Sequence, residues 1–145
     1  MMSPISKLDL VQEWYQRVWI GGDLDAISTY FTADVQAAGV MPGLDLRPAD
    51  FAELIPALMR LVVHPSFTVL RHLETDDWLW ALIRFQAQTA AELAPVDVTS
   101  QLCVRFSEGR IAEAYNHVDM LSFFEQLGAL PADTMALCLM GERLG

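Results

Sequence analysis

Residues 101–119, Gln-Leu-Cys-Val-Arg-Phe-Ser-Glu-Gly-Arg-Ile-Ala-Glu-Ala-Tyr-Asn-His-Val-Asp, limit what this chain can fold into more than any other stretch. Two strand-like runs flank Glu108-Gly109, where glycine supplies the positive φ that a two-residue hairpin loop needs. A hairpin commits the chain to a sheet, and a sheet must bury one face. Side chains alternate along a strand, so counting outward from the loop sets the register. Phe106 then lies opposite Ile111, Val104 opposite Glu113, Leu102 opposite Tyr115 and Ser100 opposite His117. The other face pairs Arg105 with Ala112, Cys103 with Ala114 and Gln101 with Asn116. The first face is apolar near the turn and polar away from it, as expected of a core that runs into the floor of a pocket. One bulge would exchange the two faces.

Further strand patterns occupy residues 67–74, 78–90 and 96–107, separated by Thr75-Asp76-Asp77 and Ala94-Pro95. Ahead of them, Leu8, Val11, Tyr15 and Val18 recur with helical spacing, and Trp14 and Trp19 widen that stripe. Gly21-Gly22 ends this helix. Asp23 then caps a shorter one with Leu24, Ile27 and Phe31 on its inner side. A short strand is expected over 35–40 and a loop over 41–47. Asp50 and Glu53 have capping-box spacing ahead of a third helix, which Pro56 must delay or bend and which His64-Pro65 stops. Asp119 caps a closing helix carrying Leu121, Phe124 and Leu127, ended by Gly128. Residues 131–145 form a mildly apolar tail of a turn or two, packed on the domain or on a partner subunit. Three helices followed by an antiparallel meander give an α+β layout, with the helices on one sheet face and a single domain over 1–145.

The chain has 145 residues, 53% hydrophobic and 19% charged, enough for one folded core. A formal net charge of −10, with no Lys/Arg cluster, argues against nucleic acid or an anionic membrane surface as partner. No apolar run approaches the ~20 residues of a membrane span. The N-terminus lacks the basic and apolar regions of a signal peptide. Cys103 and Cys138 read as reduced thiols of a cytoplasmic protein. A metal site has no support: His64, His72 and His117 are far apart, and neither cysteine has a partner at ligand spacing. No glycine-rich phosphate loop and no nucleophile elbow is present.

Two stretches carry a family resemblance. One is Gly22-Asp23-Leu24-Asp25-Ala26 followed by Tyr30-Phe31-Thr32-Ala33-Asp34. The other is Glu-Gly-Arg-Ile-Ala-Glu-Ala-Tyr-Asn-His-Val-Asp-Met-Leu over 108–121, with Gln-Leu-Gly-Ala-Leu-Pro over 126–131. With the element order above, they resemble the nuclear-transport-factor-2-like superfamily, and within it the SnoaL-like polyketide cyclases. The resemblance implies a cone, a curved antiparallel sheet wrapped around N-terminal helices with an apolar pocket inside. It also implies a small cofactor-free enzyme doing acid/base chemistry on a hydrophobic carbonyl compound by cyclisation, isomerisation or dehydration. The same superfamily hosts non-catalytic binding domains, so a ligand-binding or dimerisation domain is the alternative. In the closing motif Tyr115 stands where the family usually has Trp, and Asn116 where it usually has Asp. Against the ketosteroid isomerases of the same fold, Tyr15 falls on their oxyanion tyrosine. Gly39 falls on their general-base Asp and Leu102 on their oxyanion Asp, which argues against that activity.

On the expected register Glu113 lies on the inner face between apolar neighbours, where desolvation would raise its pKa and suit it to acid/base work. The alternative is that it pairs with Arg84 or Arg105, or that a bulge turns it to solvent. His117, opposite Ser100, would move protons at the pocket mouth, or else stand at a strand end as a surface residue. Tyr15 would hold developing oxyanion charge, its ring being core in either case. Tyr115, Leu102 and Trp14 would shape the pocket, with Ser100 beside His117, and Asn116 would donate to a ligand carbonyl if the register slips. His64 and His72 read as structural, and Asp119 as a helix cap. Trp78 and Trp80 would leave large apolar groups on the uncovered sheet face, so a homodimer through that face is expected.

Overall fold

The computed structural model describes residues 5–39 and 45–145. Helix α1 (Lys7–Glu13) starts where Ser6 Oγ accepts from the Asp9 N–H at 3.1 Å. It runs on without a break into a wider π-helical turn, Trp14–Ile20, and the Gly21 N–H bonds Gln16 O, five residues back, at 3.0 Å. A 3₁₀ segment, Leu24–Tyr30, leads into β1 (Phe31–Ala38). Then follow α2 (Pro48–Met59), β2 (Val62–Thr75), β3 (Trp78–Thr89), β4 (Pro95–Ser107), β5 (Arg110–Val118), α3 (Met120–Leu127) and α4 (Thr134–Leu139). The five strands form one sheet in the order β1-β5-β4-β3-β2. β2 to β5 make the expected antiparallel meander, and β1 adds to the β5 edge in parallel. Among the described residues no helix is long and apolar enough to cross a membrane.

The core lies between the inner sheet face and the N-terminal helices. Val11 and Val18 pack there with Trp14, Tyr15 and Trp19 against Leu79, Ile83, Leu102 and Val104 of the sheet. Each fully buried aliphatic side chain of this kind stabilises the fold by about 1.5–3 kcal/mol. A smaller cluster, Val62, Val96, Val98 and Phe123, sits where α3 closes the far end. Asp119 caps α3 as expected, accepting from the Ser122 N–H at 3.1 Å. Gln126 ties that helix to β4 by exchanging hydrogen bonds with the Asp97 backbone at 2.7 and 3.0 Å.

Several local expectations need correction. Asp23 makes no side-chain cap; its carboxylate takes Arg17 Nε at 2.9 Å instead. Phe31 begins a strand and does not extend the second helix. Asp50 is the third residue of α2, not its cap, and accepts from the Arg47 N–H at 2.8 Å, with Pro48 opening the helix. The same helix ends at Met59. His64-Pro65 falls inside β2 at a break in register, with His64 at φ 54° and its Nδ1 2.9 Å from Gln88 Oε1. Val40, and residues 41–44 of the expected loop, lie outside the described residues, as do 1–4. The tail holds α4, but Met135, Leu139 and Met140 are largely exposed, so its apolar residues do not all pack on the domain.

The hairpin decides the rest. Its two-residue loop forms as expected, with Glu108 at φ 52° and Gly109 at φ 77°. Phe106 does lie opposite Ile111, but the next pair is Arg105 with Glu113. Ala112 is therefore an extra residue, a bulge, and every later pair moves by one. Val104 meets Ala114, Leu102 meets Asn116, and Ser100 meets Val118. The expected inward placement of Glu113, Tyr115 and His117 is overturned. Ala114, Asn116 and Val118 are on the inner face. The reason is burial: with the bulge both Ile111 and Ala112 are buried, at 4% and 9% exposure.

Candidate functional site

Between the inner sheet face, the π-helical turn, the end of α2 and α3 lies a cavity with about 620 Å³ of atom-free space, part of it open to solvent. The π-helical turn contributes Tyr15 and Trp19, and α2 contributes Leu58 and Met59. Phe67, Phe85 and Val98 come from three neighbouring strands. Ser100, Asn116, Val118, Met120 and Phe123 complete most of the wall. A second cavity of about 450 Å³ is lined by Val11, Trp14, Phe31, Phe51, Leu102, Val104 and Ala114, among others. Tyr15, Trp19 and Asn116 line both.

Tyr15 is held firmly. Its ring stacks on Phe67 with centroids 4.4 Å apart, and Trp19 lies 6.4 Å away on the following helical turn. Burial pushes the phenol well above the ordinary tyrosine range, and the Asn116 side chain pulls it part of the way back. The hydroxyl therefore keeps its proton at any physiological pH and acts as a donor. Asn116 Oδ1 and Trp19 Nε1 are both shut off from solvent without a hydrogen-bond partner.

Of the residues anticipated from sequence, the structure brings Tyr15, Asn116 and Ser100 to the first cavity, and Trp14 and Leu102 to the second. Glu113, Tyr115 and His117 line neither. Glu113 sits on the outer face, where Arg105 Nε donates to it at 3.1 Å and the Tyr115 hydroxyl donates to its other oxygen. Those two donors hold its carboxyl below the usual carboxylate range, opposite to the rise that inward burial would cause. Arg84, the other arginine considered as its partner, pairs with Asp97 at 2.9 Å. Trp19, expected only as a core residue of the helical stripe, lines both cavities. Among the described residues, no carboxylate or imidazole lines either cavity, and no group of three or more His, Cys, Asp or Glu is placed to hold a metal. Glu113→Gln should accordingly leave turnover within about twofold of wild type, as for surface positions generally; a loss of more than tenfold would contradict the outward placement.

The profile of one family, the SnoaL-like polyketide cyclases, matches residues 9–127. The chain belongs to that family. Solved structures agree on the fold of this SnoaL-like chain. AclR from Streptomyces galilaeus is 18% identical with a TM-score of 0.73, the match covering 96% of this chain and 97% of AclR. TsrD from Streptomyces laurentii is 18% identical with a TM-score of 0.71, over 90% of this chain and all (100%) of TsrD. A Catenulispora acidiphila protein with a ketosteroid isomerase-like fold, in complex with trimethylamine, is 18% identical at TM-score 0.71, over 88% of this chain and 98% of its own. Comparison with curated proteins finds no match. The SnoaL-like family and fold support a small protein of the cyclase or isomerase type.

Proposed function

We propose that this SnoaL-like domain is a cofactor-free cytoplasmic enzyme that takes up a hydrophobic carbonyl compound and promotes cyclisation, isomerisation or dehydration next to the carbonyl. The observation that carries this reading is the Tyr15 phenol, kept protonated by burial and set beside Asn116 where two apolar cavities meet. A donor so placed stabilises the oxyanion that develops when a C–H bond beside a carbonyl breaks. The departing proton goes to water, because no carboxylate or imidazole among the described residues reaches the cavity. Substrates with a methylene between two carbonyls, which ionise readily, suit such a site. The same lack of a protein base favours a second reading, a binding domain that holds its ligand unchanged.

Native mass spectrometry of the purified protein, followed by denaturation and identification of any released compound, tests the first reading. A released aromatic or polyketide-like carbonyl compound that the protein then converts supports it. A released compound that returns unchanged after prolonged incubation moves the assignment to the binding domain.

We further propose that the outer sheet face pairs with a second copy. Leu73, Trp80, Cys103 and Tyr115 stand directly beside one another across four strands, with Leu73 69% and Tyr115 37% exposed. An apolar row of this kind is commonly covered. Trp80→Glu should shift the protein from dimer to monomer in sedimentation velocity, with far-UV circular dichroism retained. A wild-type monomer at micromolar concentration would refute the pairing.

A further inference from the structure

Two buried polar atoms in the cavity wall have no partner in the protein, and they are of opposite kinds. Trp19 Nε1–H can only donate, while Asn116 Oδ1 can only accept. Both are shut off from solvent and unpaired, and both side chains line both cavities. Buried indole nitrogens normally find an acceptor, and an unpaired buried polar atom is a standing loss of stability. Trp19 has little freedom to turn elsewhere, because its ring packs edge-on against Phe67 at 6.3 Å and beside Tyr15 at 6.4 Å. What fills the cavity is therefore required to accept at one point and donate at another.

We propose that Trp19 is a ligand anchor and that the ligand is a hydroxy-carbonyl compound. Its carbonyl oxygen accepts from Trp19 Nε1–H, and its hydroxyl donates to Asn116 Oδ1. The inference rests on the reading above, that the cavity takes a small hydrophobic carbonyl compound, and it adds the second functional group. A trapped water, which both donates and accepts, is the competing occupant.

Three probes of similar bulk separate these cases by calorimetric titration: an acetylnaphthalene, a naphthol, and an acetylnaphthol with its groups on opposite rings. The acetylnaphthol should bind wild type about tenfold more tightly than either single-function probe. Trp19→Phe, which keeps a ring and removes the donor, should weaken both ketones about tenfold and leave the naphthol within about twofold. Trp19→His, which restores a ring N–H, should recover part of the ketone affinity. Equal affinity for the three probes, or a Trp19→Phe variant that weakens all of them alike or none, overturns the anchor and leaves the cavity reading standing. No binding of any probe overturns both. Should Trp19→Phe fail to fold, the ranking of probes on wild type decides alone.

Discussion

Tyr15→Phe should lower turnover of the cavity's carbonyl substrate by about 10²–10³-fold, the usual cost of removing one oxyanion donor, while the protein stays folded. The substitution removes one oxygen and keeps the ring that stacks on Phe67 at 4.4 Å. Because the lost interaction forms mainly in the transition state, the fall belongs in kcat more than in KM. A rise confined to KM would instead mean that the hydroxyl holds substrate and transition state equally well. The same variant carries a stability signature. Burial raises the folded phenol above its unfolded value near 10. The contribution is thus fully present below pH ~10 and is lost as pH rises from there through the folded pKa. Wild type should lose stability steeply on the alkaline side of pH ~10, and Tyr15→Phe less steeply. Tyr30, whose phenol is also raised, remains in both proteins and cancels in the comparison. Parallel alkaline unfolding curves would mean that the Tyr15 hydroxyl is open to water.

Gly39→Ala, just past the end of β1, should be strongly destabilising, costing about 2–4 kcal/mol and lowering Tm by on the order of 10 °C. Gly39 has φ +95°, and a Cβ there would stand 2.6 Å from the carbonyl oxygen of Asn116. Both the strain and the collision fall on backbone, which cannot swing aside as a side-chain tip can. Gly22 is the control: it has φ +71° but nothing within 4 Å of an added Cβ. Gly22→Ala should therefore cost only about 1 kcal/mol. Equal midpoints for the two variants in urea would remove the collision from the account. Because the obstacle is the Asn116 backbone, Gly39→Ala should also disturb ligand binding, whereas Gly22→Ala should not.

Much of the fold was legible in the chain because it rests on periodicity and punctuation. The helical stripe of Val11, Tyr15 and Val18 is buried as its spacing required, and the Glu108-Gly109 loop and the Asp119 cap stand where turn and cap chemistry put them. Elements set by tertiary partners were harder to read. β1 lies in parallel beside β5, 80 residues from Phe31 to its partner Ile111, and no local pattern reports such a pairing. His64-Pro65 looked like a helix stop because proline lacks a donor, yet a register break in β2 accommodates it. The site was misread for one reason. Alternation was carried through Ala112, although the adjacent apolar pair Ile111-Ala112 broke it and signalled the bulge. Past that point, polar Glu113, Tyr115 and His117 alternate with Ala114, Asn116 and Val118, and a choice of inner face by hydrophobicity alone would have picked the second set. Trp19 gave no such signal, since a donor without an acceptor becomes visible only once the packing around it is known.

The bulge also bears on how such a domain could change its trade. β5 encodes two complete sets of side chains, one carboxylate-phenol-imidazole and one alanine-asparagine-valine, interleaved along the same strand. Register, not composition, selects which set meets the cavity. Were Ala112 to enter the ladder opposite Arg105, Glu113, Tyr115 and His117 would turn to the inner face with no change of residue, whereas deleting Ala112 would leave Glu113 opposite Arg105. In this scaffold the gain or loss of one bulge is thus the short path between a cavity without an acid or base and one furnished with both.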